Sequence, residues 1–130
     1  MELLPEGQTN TSVEVTYSDQ QKINKFSTLI SQKDSLIIKR DNFKIEKEYL
    51  DDLSIELELL DEEDKIMYKI GDVFIELIVS DALIKVNDEL NKLNDEIDEI
   101  DLKIEKIDDV LSDLKIQLYD KFGKNINLER

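Results

Sequence analysis

The chain has 130 residues and a formal net charge of −15, and 38% of its residues are charged. This acidic balance argues against a nucleic-acid partner, because phosphate groups would repel the chain. The absence of cysteine excludes a disulfide framework, and the absence of both cysteine and histidine excludes the usual zinc ligands. No apolar run approaches about 18 residues and the opening MELLPEGQTN lacks a basic region followed by an apolar stretch, so we expect no membrane span, no signal peptide, and a cytosolic or nuclear location by default.

The N-terminal part is predicted to be a flexible tail followed by a long helix. Residues 1–15 contain Pro5, Gly7 and a polar QTNTS stretch, which favour a tail without regular structure. Thr16 or Ser18 would cap the helix, with Asp19 placed near the positive end of its dipole. Apolar residues then recur at every seventh position: Leu29, Leu36, Phe43, Leu50 and Leu57. The intervening core positions in the middle are polar (Gln32, Lys39 and Glu46), which predicts a weak seam.

A β-hairpin is predicted over residues 66–78. The acidic stretch Asp61–Asp64 ends the helical pattern, and the β-prone runs IMYKI and VFIELI follow it. They are joined by Gly71 and Asp72, and a glycine at the first central position is typical of a type II′ turn. This two-residue turn fixes one apolar face, on which Ile70 faces Val73, Tyr68 faces Ile75, and Ile66 faces Leu77. The other face is mixed, with Lys69 opposite Phe74 and Met67 opposite Glu76.

The second helix carries the strongest pattern in the chain, and Ser80 is its predicted cap. Eleven consecutive heptad core positions are apolar: Leu83, Val86, Leu90, Leu93, Ile97, Ile100, Ile104, Ile107, Leu111, Leu114 and Leu118. A period of 3.5 residues keeps one stripe facing a partner helix, which indicates a left-handed coiled coil.

The two helices are predicted to pair with each other in antiparallel orientation. Five apolar pairs share one register, with residue numbers that add up to 143: Leu57 with Val86, Leu50 with Leu93, Phe43 with Ile100, Leu36 with Ile107, and Leu29 with Leu114. Charge agrees, because residues 81–120 contain thirteen acids and five lysines while seven of the 17 basic residues lie between Lys22 and Lys47. The predicted fold class is therefore mainly α: a long two-helix coiled coil over residues 16–122, with one β-hairpin at the connecting end and a flexible tail over residues 123–130.

The hairpin is the element that needs a partner. A two-stranded sheet is marginally stable in water, and its edges expose unpaired backbone groups. Either it folds onto its own helices or other chains supply strands, and we favour the second because a coiled coil is narrow. The residues predicted to mediate subunit assembly are Ile66, Tyr68, Ile70, Gly71, Val73, Phe74, Ile75 and Leu77.

The charged clusters favour structural roles over chemistry. Asp61–Asp64 and the DEIDEID stretch lack the alternating ligands and internal glycine of a calcium loop, so we interpret them as solvated surface and expect no metal and no cofactor. Lys33, Arg40 and Lys47 are spaced by seven and either form a basic ridge for an acidic partner or, as we favour, flank the acidic second helix. Because nothing brings carboxylates together in a cleft, we predict no catalytic residues and no enzyme activity.

Specific segments of this sequence resemble the prefoldin β-type subunits. They are the opening MELLPEGQ, then DQQKIN and FS between Asp19 and Ser27, KEYLDDLSIELELLDEED from Lys47, YKIGDVFI at the turn, and QLYDKFGKNINLER at the C-terminus. They extend over nearly the whole chain, and the turn and C-terminal segments are more specific than the heptads.

The resemblance implies a function. Prefoldin is a cytoplasmic hetero-hexamer whose hairpins form a platform from which the coiled coils project, and it captures unfolded actin and tubulin without ATP and passes them to the cytosolic chaperonin. Clients contact the tips of the coiled coils, which here would hold Ile23, Phe26, Leu118, Tyr119 and Phe122, with Leu3, Leu4, Ile126 and Leu128 on the tails. Tyr119 and Phe122 are equally well interpreted as the end of the core.

Two alternatives remain at this point. A coiled-coil structural adaptor in another assembly would share the fold but would not capture clients. A homodimeric scaffold would form a stable oligomer of this chain alone.

Overall fold

The computed structural model of the chain describes residues 2–3 and 14–128. Its elements in chain order are strand β1 (Glu2–Leu3), helix α1 (Tyr17–Glu58), strands β2 (Lys65–Ile70) and β3 (Val73–Ile78), helix α2 (Val79–Phe122), a 3-10 helix (Gly123–Asn125) and strand β4 (Ile126–Asn127). Two long helices with an antiparallel hairpin between them confirm the predicted fold class. Most of the tail predicted over residues 1–15, namely residues 1 and 4–13, lies outside the described residues.

Helix α1 begins with a reciprocal pair of hydrogen bonds. The backbone N–H of Asp19 donates to the hydroxyl of Thr16 at 3.1 Å, and the N–H of Thr16 donates to the Asp19 carboxylate at 3.0 Å. Each side chain thus satisfies a backbone donor that has no partner within the helix, which is the geometry of a capping box. Of the two caps predicted from the sequence, Thr16 is the one that the structure uses.

The apolar stripe of α2 is covered along its whole length. Eight of its eleven core positions are buried, and the other three, Leu83, Leu90 and Ile107, are half-buried. The stripe of α1 is less well covered, because Gln32, Lys39 and Glu46 are exposed as the polar interruptions predicted. Helix α2 therefore contributes the larger part of the apolar surface removed from water along the seam.

Ion pairs join α1 to α2 beside the seam. The Lys33 ammonium lies 2.6 Å from the Asp108 carboxylate, and the Arg40 guanidinium lies 3.2 Å from Asp101. The residue numbers of both pairs add up to 141, as a single antiparallel register requires. For Lys33 and Arg40, the interpretation as residues that flank the acidic helix agrees with the structure. Such exposed pairs contribute more to orientation than to stability.

The acidic turn between α1 and β2 caps the start of α2. The N–H of Val79 donates to the carbonyl of Asp64 at 2.8 Å, and the N–H of Ser80 donates to the carbonyl of Glu62 at 3.2 Å. These backbone carbonyls satisfy donors in the first turn of the helix. The helix begins one residue before Ser80, so the prediction that Ser80 is the cap is corrected to a cap made by the turn.

The described chain divides into two units, each with its own core. One contains the residues up to 37 and from 102 onward, and the other contains residues 38–101. The first is built around the terminal core: Ile23, Phe26, Leu111, Leu114, Leu118, Phe122, Ile126 and Leu128. The second is built around the hairpin core: Leu50, Leu57, Tyr68, Val79, Ala82, Val86 and Leu93.

The hairpin has the register predicted from its turn. Ile70 pairs with Val73, Tyr68 with Ile75, and Ile66 with Leu77, while Lys69 pairs with Phe74 and Met67 with Glu76. Gly71 has a φ of 60°, and Asp72 is not among the residues with positive φ. A positive φ at the first central position only is the signature of a type II′ turn.

The C-terminal segment differs from the flexible tail predicted over residues 123–130. Gly123 adopts a φ of 56°, which redirects the chain after α2, and β4 then pairs with β1 in antiparallel orientation. Ile126 and Leu128 are 4% and 2% exposed within the terminal core. The physical reason is their spacing, because alternate residues of an extended segment point to the same side and both can be buried together.

Replacing Gly71 by alanine should destabilise the chain by about 1–2 kcal/mol, because a side chain disfavours the left-handed backbone region. The space around Gly71 is open, so the cost would come from the backbone conformation and not from a clash. Urea denaturation followed by circular dichroism measures the change, with Asp72→Ala as the matched control. Equal stability of G71A and the unmodified chain would contradict the assigned turn.

Candidate interaction surfaces

One face of the hairpin, apart from the turn, is covered by the chain itself. Tyr68 is 7% exposed and belongs to the hairpin core, and Ile66, Ile75 and Leu77 pack against that core while half-buried. Burial raises the pKa of the Tyr68 hydroxyl, and the nearby Glu89 carboxylate and Tyr49 raise it further. The phenol is therefore held neutral, and its ring anchors the sheet on the helices.

The other face of the hairpin is exposed from Lys65 to Glu76, and the first face is exposed at the turn. We call the exposed apolar residues of these surfaces, together with the turn glycine, the hairpin end: Met67, Ile70, Gly71, Val73 and Phe74. Ile70 and Val73 lie on one face and Met67 and Phe74 on the other, because they alternate along their strands. An apolar sheet end exposed on both sides is an incomplete structure that further strands or side chains would cover.

The edges of the hairpin are also open. Within the described residues β2 and β3 pair only with each other, so each strand has one edge without a partner strand. Lys65 lies 3.5 Å from Glu76 on the opposite strand, and the Lys69 ammonium lies 5.9 Å from the centre of the Phe74 ring. These charged groups do not block strand addition, which proceeds through backbone N–H and C=O groups.

The eight residues predicted for subunit assembly therefore separate into two groups. Tyr68 is committed to the chain's own core and Ile66, Ile75 and Leu77 largely so, whereas Ile70, Gly71, Val73 and Phe74 are exposed. Sequence reasoning omitted Met67, which is 62% exposed. Its position on the mixed face, diagonal to Phe74, was the signal that indicated it.

The residues predicted to bind clients lie inside the terminal core. Ile23, Phe26, Leu118 and Phe122 are buried, and Tyr119 is half-buried against them. Of the predicted tail residues, Ile126 and Leu128 are buried in the same core and Leu4 lies outside the described residues. The five tip residues lie together in a packed cluster and not on an exposed surface, and their contact with clients stays a prediction. For Phe122 this matches the interpretation as the end of the core.

An ion pair joins the two helices beside the terminal core. The Lys121 ammonium near the end of α2 donates a hydrogen bond to the Asp19 carboxylate, which the capping box holds at the start of α1. This hydrogen bond, followed by the one from the backbone of Thr16, lowers the pKa of Asp19 from 3.8 to about 2. Asp19 therefore carries its charge at every physiological pH.

Comparison with known proteins gives the family. The family model described as prefoldin subunit matches residues 20–125. Prefoldin subunit 4 of Saccharomyces cerevisiae is 47% identical over 130 residues and 100% of both chains. Prefoldin subunit 4 of Homo sapiens is 39% identical over 123 residues, which cover 90% of this chain and 88% of that protein. The crystal structure of the prefoldin beta subunit from Thermococcus strain KS-1 superimposes with a TM-score of 0.74, at 12% identity, over 83% of this chain and 95% of that one.

This chain belongs to the prefoldin subunit family. Its curated relatives carry the name prefoldin subunit 4, and the structural neighbour is a β subunit with the same fold, which confirms the predicted resemblance to a β-type subunit. The family role is that of a co-chaperone component that forms a complex with other prefoldin subunits. Among the described helices, none is both long and apolar enough to cross a membrane.

Two aromatic residues of the hairpin should respond oppositely to substitution. Tyr68→Ala should lower the free energy of unfolding by about 3 kcal/mol or more, because it empties a buried site. Phe74→Ser should change stability by less than about 0.5 kcal/mol, because Phe74 is exposed, and should instead abolish assembly with partner subunits. Urea denaturation of the chain and size-exclusion chromatography of the mixed subunits give the two measurements. Normal assembly of F74S would contradict the assignment of the hairpin end.

The Asp19–Lys121 pair predicts a dependence of stability on pH. Because the folded-state pKa of Asp19 lies below its ordinary value, the carboxylate stabilises the fold above about pH 4, and this contribution is lost as the pH falls towards 2. At pH 7 the midpoint of thermal unfolding should therefore be lower for D19N than for the unmodified chain. Near pH 2 the two midpoints should become nearly equal. Asp120→Asn, at an exposed position of α2, is the control. A difference that persists undiminished at pH 2 would contradict the pairing.

Proposed function

We propose that this chain is a non-enzymatic, ATP-independent co-chaperone subunit of the hetero-hexameric prefoldin complex. In this proposal the complex binds unfolded actin and tubulin in the cytoplasm and delivers them to the cytosolic chaperonin. The observation that carries the proposal is the hairpin end, which is apolar on both faces and open at both edges in a chain of this family. Such an element is completed by strands from other subunits.

The hairpin assigns assembly to one part of the chain and leaves the helices free for another task. One face of the hairpin is fixed by Tyr68, so the hairpin end is presented in a defined orientation. A partner strand would gain backbone hydrogen bonds at the edge and apolar contacts from Phe74 and Val73. Several subunits joined in this way would act on one client together, and their weak contacts would combine into useful avidity.

The acidic surface suits a protein that holds aggregation-prone chains. A net charge of −15 makes complexes with unfolded proteins repel one another, and this keeps them in solution. Within the described residues there is no group of three or more side chains arranged to hold a metal ion. The role we propose needs no chemical step, only reversible apolar contact.

One observation favours a second candidate, a structural adaptor that assembles through its hairpin but does not capture clients. The residues expected to contact clients are buried, and Phe26 and Leu118 are 2% and 1% exposed. A closed terminal core is what an adaptor would need.

The test is to assemble the full chain with its partner subunits and measure light scattering of chemically unfolded actin diluted into buffer. Under the proposed function, scattering should fall in proportion to added complex without ATP. The matched control is the same mixture containing F74S, which should not assemble and should suppress scattering much less. A complex that assembles but leaves scattering unchanged would support the adaptor and contradict client capture.

A further inference from the structure

The C-terminal segment occupies an apolar site between the ends of the two helices. Ile126 and Leu128 are buried among Phe26, Leu118 and Phe122, while Asn127 between them is exposed. We call residues Ile126–Leu128 the C-terminal strap. The strap is an extended segment in which apolar, polar and apolar residues follow one another, and both apolar side chains enter the same core.

Backbone contacts also hold the strap in place, besides its two apolar side chains. β4 pairs with β1 over two residue pairs, Leu3 with Ile126 and Glu2 with Asn127. The N–H of Leu128 donates to the Tyr119 hydroxyl at 3.3 Å, which is at the long end for a hydrogen bond. A two-stranded sheet of this length has little stability of its own. A segment near the chain end that is joined by so short a sheet can open locally while the helices stay packed.

The site continues beyond the strap. A groove of about 420 Å³ follows Leu128 along the helices and is lined by apolar residues that include Phe26, Ile30 and Leu111. Lys33, Asp34, Asp108 and Lys115 also line it, so the groove combines apolar residues with charges of both signs. An extended segment longer than the strap would therefore find further apolar contacts there.

We infer that the site under the strap binds extended segments with apolar residues two positions apart, and that the strap is a built-in competitor for it. The inference rests on the proposed function, and it names both the segment that a client must present and the contact that a client must displace. It also explains how residues expected to meet clients can be buried in the free chain. Non-native proteins offer such segments, because folding would normally bury them.

The competition has a measurable size. A client binds only the open form, so its apparent dissociation constant is the intrinsic constant divided by the open fraction. Minor conformations of this kind are populated at about 0.1–10%, so displacing the strap should strengthen binding by about tenfold or more. Fixing the strap closed should weaken binding by a similar factor or abolish it.

A reversible disulfide provides the closed form. Directly opposed residues of an antiparallel pair have Cα atoms about 4.5–5.5 Å apart, within the range of about 4.4–6.8 Å that a disulfide spans. Glu2 and Asn127 are such a pair, and the natural chain contains no cysteine that would interfere. The variant Glu2→Cys/Asn127→Cys is locked when oxidised, and the same protein after reduction is its matched control.

The open form is made by Ile126→Ser/Leu128→Ser, which removes the side chains that seat the strap. Its control is Leu102→Ser/Ile116→Ser, which removes two apolar residues of α2 that are 58% and 62% exposed. Two fluorescent probes are titrated into each full-length protein and followed by anisotropy: unfolded actin, and a peptide of residues 123–130 (GKNINLER).

We expect the oxidised lock to bind both probes at least about tenfold more weakly than its reduced form, and the open variant to bind both at least about tenfold more tightly than its control. Equal binding by the locked and reduced forms, or no gain in the open variant, would overturn the inference. If the peptide behaves as expected but the complex assembled with partner subunits does not bind unfolded actin, the proposed function is wrong while the site under the strap stands.

Discussion

Burial of the α2 apolar stripe against α1 is the constraint on which the rest of this structure depends. The stripe runs from Leu83 to Leu118 without an exposed position, and it supplies residues to both the hairpin core and the terminal core. Because α1 has polar residues at several of its own core positions, α2 contributes most of the apolar surface that is buried between the helices. Both interaction surfaces are placed by this pairing: the hairpin emerges where the helices connect, and the strap folds back where α2 ends.

The hairpin end and the site under the strap differ in what covers them. The hairpin end exposes apolar residues on both faces, and we propose that other subunits complete it. The site between the ends of the helices is filled by the strap, a short segment of the chain itself. In the proposed function the hairpin end joins subunits, and the site under the strap exchanges the strap for a client.

Local chemistry made the hairpin and the helices predictable from the sequence. Gly71 and Asp72 determine the turn, the turn determines the register, and the heptads determine which side of each helix is buried. The strap was not predictable in this way, because Ile126 meets Leu3 across almost the whole length of the chain. For the same reason Tyr68 was expected in a subunit interface, although tertiary packing places it in the hairpin core. The only local sequence signal for the burial of the strap or of Tyr68 is the alternation of apolar residues along each strand.

Subunit assembly through the hairpin is the central claim, and a native mass spectrum of the tagged chain isolated from its own cells tests it most directly. The account predicts a hexamer of distinct small subunits in which this chain is present once. A homo-oligomer of this chain, or a complex with no other prefoldin subunit, would contradict it.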